Sequence, residues 1–203
     1  MEQNEKKKAK IIAIGNQKGG VGKTTNTAHI SAALGKLGRK VLVWDLDVNQ
    51  GLTSHFGIPQ GAFSGTFHIL TGEREPQDVI ITHDEPDIEL PENVHVIPTG
   101  RELETLDAVL RERDPFYTPH EILRAPIEKL REYYDYIFLD TAPNTNVSTT
   151  VASYIAADYF IISTVPERFR SEGLKNSARR HRYGSRKRAQ PKLGTFRSSS
   201  FWS

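Results

Sequence analysis

Residues 10–25 read KIIAIGNQKGGVGKTT, and this stretch decides the fold. The apolar run Lys10–Gly15 is typical of a buried strand, and the glycine-rich segment that follows it is typical of a turn. From Thr24 onward, apolar residues recur at helical spacing until Gly38, a residue that favours the end of a helix. The stretch therefore predicts a strand, a glycine-rich turn and a helix in direct succession.

The turn has the composition of a phosphate-binding loop. Three of residues 19–22 are glycines, which let the backbone approach a phosphate closely, and the helix that follows adds its positive dipole end. Lys23 can reach the β- and γ-phosphates of a nucleotide, and the Thr24 hydroxyl can bind Mg²⁺. The segment departs from the pattern G-x-x-x-x-G-K-[ST] in one place, because Gln17 stands where the first glycine is expected, with Lys18 beside it. The turn predicts a nucleotide site rather than an ordinary glycine-rich connection.

Apolar runs and helical patterns alternate along the chain as far as about residue 174. Further strands are predicted at 41–44, 94–98, 136–140 and 159–165, and helices at 66–70, 103–110, 120–134 and 147–157. Residues 73–92 are polar and interrupted by prolines, which indicates a surface excursion. Strands that alternate with helices predict an α/β fold with a largely parallel, twisted sheet and helices on both faces.

Two of the predicted strands end in aspartate. The carboxyl ends of parallel strands face one edge of the sheet, where ligands bind, so Asp45 and Asp140 are expected near the glycine-rich turn. Carboxylate oxygens suit Mg²⁺ and its bound waters, which makes both residues candidates for a metal site with Thr24. Asp47, two residues further along, is a candidate for orienting or deprotonating an attacking water. A turn or helix-cap role is the alternative for each aspartate.

Composition restricts the chain to a few classes of protein. Its 203 residues are 37% apolar, with no run near the roughly 18 apolar residues of a membrane span, and MEQNEKKKAK at the N-terminus does not read as a secretory signal. The absence of cysteine excludes disulfides, thiolate metal sites and cysteine-ligated iron–sulfur clusters. The seven histidines show no metal-ligand spacing, and no nucleophilic triad can be argued. A cytoplasmic protein is expected.

Residues 18–25, KGGVGKTT, resemble the deviant Walker A motif of the ParA/MinD superfamily of ATPases. In that motif the first consensus glycine is dispensable, and the additional lysine, here Lys18, is the defining residue. Residues 41–57, VLVWDLDVNQGLTSHFG, resemble the family's switch I pattern D-L-D-P-Q-x-x-x-T-x-x-x-G, from which Val48 and Asn49 depart. The resemblance therefore extends beyond the loop to the segment that ends at Gly57.

Three later segments follow in the order of the family's motifs. VHVIPTGREL at 94–103 is similar to its strand-to-helix segment, YDYIFLDTAPN at 134–144 to its Walker B and switch II motifs, and 156–174 to the segment whose proline loop lies near the nucleotide base. The D-L-D…T pattern and the TAPN segment favour the ParA/Soj partition branch, and the absence of cysteine excludes the iron–sulfur branches. The resemblance covers about residues 9–174 and implies a P-loop NTPase fold.

The resemblance also implies roles for individual positions. Lys18 is implied to reach the phosphates of a nucleotide bound by a second subunit, so that ATP joins two subunits face to face and hydrolysis releases them. A solvated loop lysine is the alternative. The implied catalytic residues are Lys18, Lys23 and Asp47, and the implied metal-site residues are Thr24, Asp45 and Asp140. The implied residues of the ATP site are Lys18, Gly19, Gly20, Val21, Gly22, Lys23, Thr24, Thr25, Pro166 and Glu167.

The C-terminal residues differ in character from the rest. Residues 176–203 hold eight of the 27 Lys and Arg and none of the 25 Asp and Glu, so the body is acidic although the net charge of the chain is +2. Apolar periodicity stops after about residue 174, where family members add strands and helices that complete the sheet; these are expected to be missing here. The expected organisation is a charged extension at 1–8, an ATPase domain at 9–174 and a basic, aperiodic tail at 175–203.

Three interpretations of the tail stay open: a disordered solubilising segment, a nucleic-acid contact, or a frameshifted or truncated C-terminus foreign to the family. It has too few apolar residues at helical spacing to bind a membrane. The leading hypothesis is a Mg·ATP-dependent, dimer-forming ParA-type ATPase that partitions plasmids or chromosomes, binds DNA nonspecifically, associates with the nucleoid and is stimulated by a partner protein. The alternative is a nucleotide-binding fragment whose tail contacts nucleic acid without catalysis.

Overall fold

The computed structural model describes residues 8–143 and 148–165, and a single parallel sheet lies at their centre. The strands are β1 Lys10–Gly15, β2 Val41–Leu46, β3 Val94–Ile97, β4 Tyr136–Thr141 and β5 Tyr159–Ile162. They lie in the order β3-β2-β4-β1-β5, and each neighbouring pair of these strands is parallel. The predicted α/β fold with a largely parallel sheet is confirmed.

The helices in the described part of the chain connect these strands. The α-helices are α1 Lys23–Lys36, α2 Gly51–His55, α3 Thr66–Leu70, α4 Leu106–Arg113, α5 Arg124–Leu130 and α6 Ser148–Ala156. Short 3₁₀ segments lie at Pro76–Val79, Arg101–Thr105 and Pro119–Glu121. Within the described ranges, no helix has the length and apolar character needed to cross a bilayer.

The sheet is buried on both faces, because alternate residues of each strand enter different apolar clusters. Leu42 and Trp44 of β2 pack in one cluster with residues of α5 and α6. Val41 and Val43 of the same strand pack in the other with residues of α1 and α2. All four side chains are fully buried, and each contributes about 1.5–3 kcal/mol of hydrophobic stabilisation. The helices therefore cover both faces, as predicted.

Two predicted helices are shorter than their apolar patterns indicate. The pattern over 120–134 forms the α-helix α5 only over Arg124–Leu130, after a 3₁₀ turn at Pro119–Glu121. Pro126 lies in the first turn of α5, where its missing N–H leaves no helical hydrogen bond unmade. The pattern that begins at Leu103 likewise starts as a 3₁₀ turn before α4. Helical spacing predicted most of the buried positions, although Leu110 and Ile122 are only half-buried, but it did not predict the type of each turn.

The prediction that residues 73–92 form a surface excursion is only half right. Val79, Ile81, Ile88 and Leu90 are buried, because their side chains complete the apolar clusters at the β3 edge. Ile81 also forms an antiparallel bridge with Val96, in which each N–H donates to the other's carbonyl. The segment therefore covers the outer edge of β3, which would otherwise expose unpaired backbone groups.

Helix α1 is fixed against the loop before β3 by a close backbone approach. At Gly35, an added Cβ would overlap the carbonyl oxygen of Glu92. The Asn93 side-chain amide donates to the Gly35 carbonyl at 3.1 Å. Only glycine lets the helix lie this close, and the contact sets the position of the helix whose first turn follows the glycine-rich loop.

We expect Gly35→Ala to lower the free energy of unfolding by about 1–3 kcal/mol, since the added methyl group overpacks a rigid backbone contact. Helix propensity alone predicts the opposite sign, a gain of about 1 kcal/mol for alanine. Urea unfolding at neutral pH measures the difference. Gly19→Ala is the matched control, because a Cβ there meets no heavy atom within 4 Å. A stabilised Gly35→Ala protein would contradict the packing argument.

Candidate nucleotide-binding site

The register of the sheet brings the predicted site residues to one edge. Strand β4 lies between β1 and β2, and Asp45 of β2 is the direct neighbour of Asp140 of β4. The glycine-rich loop leaves β1 on the other side of β4 and leads into α1 at Lys23. The carboxyl ends of three strands therefore surround the N-terminal turn of α1.

The loop presents open backbone to this edge. Gly20 and Gly22 have φ values of +69° and +80°, a left-handed conformation that side chains disfavour. An added Cβ at Gly19 or Gly20 would meet nothing within 4 Å, so space lies beside both residues. Val21 differs from them, because it is buried. The left-handed glycines and the space beside them fit the close approach of a phosphate group to backbone N–H donors.

Lys23 lies at the base of this loop among carboxylates. Its side chain is only 8% exposed, and burial lowers the pKa of its ammonium group. The nearby carboxylates of Asp140 and Asp47 oppose that shift. A buried ammonium group suits an anionic ligand, because the negative charge of the ligand would stabilise a cation that has lost its hydration.

Asp140 is bound to α1 by two hydroxyl groups. The Thr24 hydroxyl donates to Oδ2 at 2.8 Å, and the Thr27 hydroxyl lies 3.1 Å from Oδ1. Asp140 is 1% exposed, and desolvation raises the pKa of its carboxyl group to about 6, against the opposing effect of these hydrogen bonds. The hydroxyl and the carboxylate predicted as metal-site residues are therefore in direct contact.

Asp45 is more deeply buried and is bound to the start of α2. The backbone N–H and the hydroxyl of Thr53 donate to its Oδ2 at 2.9 and 2.7 Å, and the N–H of Asp47 donates to its Oδ1 at 3.1 Å. Burial raises the pKa of Asp45 to about 7. Both oxygens already accept hydrogen bonds from the protein, so Asp45 positions the loop that carries Asp47, and its role beside a metal stays a prediction.

The loop from 47 to 51 carries Asp47 and passes close to Thr24. Asp47 Oδ1 accepts from the backbone and side-chain amides of Asn49, which fixes the orientation of the carboxylate. An added Cβ at Gly51 would lie 3.4 Å from the Thr24 hydroxyl, so the loop passes close to that oxygen. Between them, Gln50 has a left-handed backbone with φ of 56°, and its buried Oε1 has no hydrogen-bond partner among the described residues.

Two predicted residues lie apart from this cluster. Lys18 is exposed, and its backbone N–H donates to the Asn16 side chain at 3.1 Å. Thr25 is also exposed, on the outer side of α1. Pro166 and Glu167, predicted near the base, lie outside the described residues. The roles of all four stay predictions.

The structure adds residues that the sequence reasoning did not identify. Thr27 could have been found, because it lies three residues after Thr24 and on the same face of α1. Thr53 was noted only as part of a motif, although its hydroxyl and backbone hold Asp45. Asn26 and Ser163, which contact each other beside the loop, gave no sequence signal at all.

Comparison with known proteins identifies relatives of the chain. A family model described as an AAA domain matches residues 9–187. A ParA family protein of Chlamydia pneumoniae is 32% identical over 170 residues, which cover 83% of this chain and 64% of the relative. The sporulation initiation inhibitor protein Soj of Bacillus subtilis is 33% identical over 171 residues, with coverages of 81% and 62%. The chain spans between 50% and 64% of the length of the curated relatives compared first.

Solved structures share the fold. Cobyrinic acid a,c-diamide synthase of Mycobacterium smegmatis, with a bound ATP analogue and magnesium, is similar with a TM-score of 0.78 and 26% identity. That match covers 92% of this chain and 70% of the synthase. A plasmid partition protein of Borrelia burgdorferi is similar with a TM-score of 0.73 and 29% identity, over 93% of this chain and 78% of that protein.

We expect Asp140→Asn to change how stability depends on pH. The pKa of Asp140 is raised to about 6 in the folded state, so the native protein holds a proton that the unfolded chain has lost, and stability falls as pH rises from about 4 to 6. The asparagine variant lacks this loss. Relative to the wild type, its free energy of unfolding should be higher at pH 8 than at pH 5 by about 1 kcal/mol. Urea unfolding in EDTA measures it, and an equal difference at both pH values would contradict the burial argument.

Proposed function

The chain belongs to the AAA-domain family and is similar to ParA/MinD-type ATPases close to the partition branch, and from that premise we propose that it binds Mg·ATP and hydrolyses it. The observation that carries the proposal is the contact between the Thr24 hydroxyl and the buried Asp140 carboxylate beneath the glycine loop. A hydroxyl and a carboxylate at the first turn of a phosphate-binding helix are the oxygen donors that Mg²⁺ requires beside phosphates.

Each residue of the site then has a defined task. Backbone N–H groups of 19–22 and the Lys23 ammonium bind the β- and γ-phosphates, and Thr24 and Asp140 hold the metal and its waters. Bound Mg²⁺ supplies neutralisation of the phosphate charge. Asp45 holds the segment that carries Asp47, and Asp47 orients the attacking water or takes its proton. The orientation of Asp47 by Asn49 supports this role, because phosphoryl transfer depends mainly on positioning and electrostatics.

Lys18 reaches the phosphates of the nucleotide that a second copy of the chain binds. Its side chain is exposed at the outer rim of the loop, where it is available to another subunit, whereas Lys23 is buried and serves its own site. A cation supplied across an interface stabilises the charge of the phosphoryl-transfer transition state, as an arginine finger does. ATP would therefore join two subunits, and hydrolysis would release them.

The cellular role that we infer is partition of plasmid or chromosomal DNA. The ParA and Soj relatives and the similarity to a plasmid partition protein support it. The ATP-bound dimer would bind DNA nonspecifically, on the nucleoid, and a partner protein would stimulate hydrolysis. ATP turnover would be the switch between the bound and released states.

Three alanine variants test the site. We expect Lys23→Ala to weaken nucleotide binding by about two orders of magnitude, because it leaves the site without its buried cation. Asp47→Ala should bind ATP but lose hydrolysis by roughly 100-fold or more. Lys18→Ala should also bind ATP, and its hydrolysis should fall on the order of a thousandfold. Nucleotide titration and phosphate release under single-turnover conditions separate the binding defect from the chemical defects.

The control for these variants is Lys36→Ala, which removes an exposed lysine from the other end of α1. Light scattering should detect a dimer with a non-hydrolysable ATP analogue for the wild type and this control, and a monomer for Lys18→Ala. Unchanged hydrolysis in all three site variants would refute the assignment.

The charge of residues 176–203 favours a second candidate function, nucleic-acid binding by the tail without catalysis. Deletion of these residues separates the two. If the body acts as an ATP-switched dimer, we expect DNA binding by the full chain to require ATP, with an affinity that falls as salt rises. ATP-independent binding that disappears with the tail would favour the second candidate. Fluorescence anisotropy with a labelled duplex, with and without an ATP analogue, measures both.

A further inference from the structure

A buried polar cluster connects the end of β5 to the glycine-rich loop. We name it the Ser163 clamp, after the residue that its hydrogen bonds share; its other members are Asn16, Val21 and Asn26. The Asn16 side-chain amide donates to the Ser163 carbonyl at 2.7 Å. The Ser163 hydroxyl donates to the Val21 carbonyl at 2.5 Å and accepts from the Asn26 side-chain amide at 2.8 Å. One serine therefore uses its backbone and both capacities of its hydroxyl.

The three bonds attach at three different points of the phosphate-binding segment. Asn16 lies where the chain leaves β1, Val21 lies between the two left-handed glycines, and Asn26 lies in the first turns of α1. The Asn16 side chain also accepts from the backbone N–H of Lys18 at 3.1 Å. The clamp thus holds the entry, the middle and the exit of the loop.

The position of the clamp follows from the sheet. Gly15 of β1 is the register partner of Ile162 of β5, so the next residues, Asn16 and Ser163, continue side by side past the strand ends. Asn16 is 1% exposed and Ser163 is 3% exposed, so water cannot readily replace these hydrogen bonds. Loss of one partner would leave buried polar groups unsatisfied.

We propose that Ser163 is a positioning residue for the phosphate-binding loop. It contacts no phosphate itself; it holds the Val21 carbonyl and the Asn26 side chain so that the loop's N–H donors are ordered before nucleotide arrives. A loop ordered in advance loses less conformational entropy on binding. The proposal deepens the assigned function and rests on it, since it takes the loop to bind the phosphates of ATP.

A general contribution to stability is the competing explanation, and the chain offers a matched control. Ser153 in α6 is fully buried, and its hydroxyl also donates to a backbone carbonyl, that of Thr149, at 2.6 Å. Ser163→Ala and Ser153→Ala therefore remove the same chemical group from equally buried sites. Only the first removal is expected to affect the loop.

The first measurement is amide hydrogen exchange in the nucleotide-free full chain. We expect Ser163→Ala to accelerate exchange of the peptide that spans 16–24 by about tenfold, with no acceleration there in Ser153→Ala. Asn26→Ala should accelerate the same peptide, and combining it with Ser163→Ala should add less than the two single effects together. Equal exchange in the Ser163→Ala and Ser153→Ala proteins would overturn the proposal. If Ser163→Ala does not fold, Asn26→Ala decides alone, and unchanged exchange in it has the same consequence.

The second measurement is the affinity for ATP with Mg²⁺, by calorimetry. Ser163→Ala should weaken binding about tenfold, while Ser153→Ala should bind as the wild type does. Faster exchange with unchanged affinity would overturn the positioning role. A wild-type protein that binds no nucleotide would instead refute the proposed function, and the exchange data would still decide whether the clamp orders the loop. The two failures are therefore distinguishable.

Discussion

The arrangement of the site depends on one desolvated carboxylate, that of Asp140. Asp140 is the penultimate residue of the central strand of the sheet, and two hydroxyl groups of α1 replace the solvent that burial removes. Those bonds fix the rotation of α1 about its axis and hence the direction of the loop before it. The same strand places Asp140 beside Asp45, which fixes the next loop through Thr53. One desolvated group at the end of β4 thereby aligns the helix and the loop that make up the site.

The parts of the fold that were predictable are those whose signals are local. The apolar run of β1 and the glycines after it lie within a dozen residues, and the strand has the bounds that its sequence indicates. Helix α2 could not be predicted, because five residues show no periodicity and its start is held by Asp45, eight residues before Thr53. The role of Ser163 could not be predicted either, since its hydrogen-bond partners lie about 140 residues away in the sequence. Contacts of that range leave no pattern in a single sequence.

Some charged side chains of the site are buried, and another is exposed to solvent. Lys23 and Asp140 are buried, so their interaction with each other and with any ligand is strong and weakly screened by salt. Lys18 is exposed at the rim, where water competes with every contact it makes. A buried pair suits the fixed task of holding phosphate and metal, and an exposed cation suits a contact that has to form and break.

The backbone at Gln50 carries a local conformational cost beside this site. A left-handed conformation in a residue other than glycine costs about 1 kcal/mol, and the buried Oε1 of Gln50, which accepts no hydrogen bond within residues 8–143 and 148–165, adds to that cost. The segment from Asp47 to Gly51 therefore carries a local conformational cost that the packing around it has to offset. Glycine at position 50 would adopt the same backbone without that strain, so the segment is less stable with glutamine than its backbone path requires.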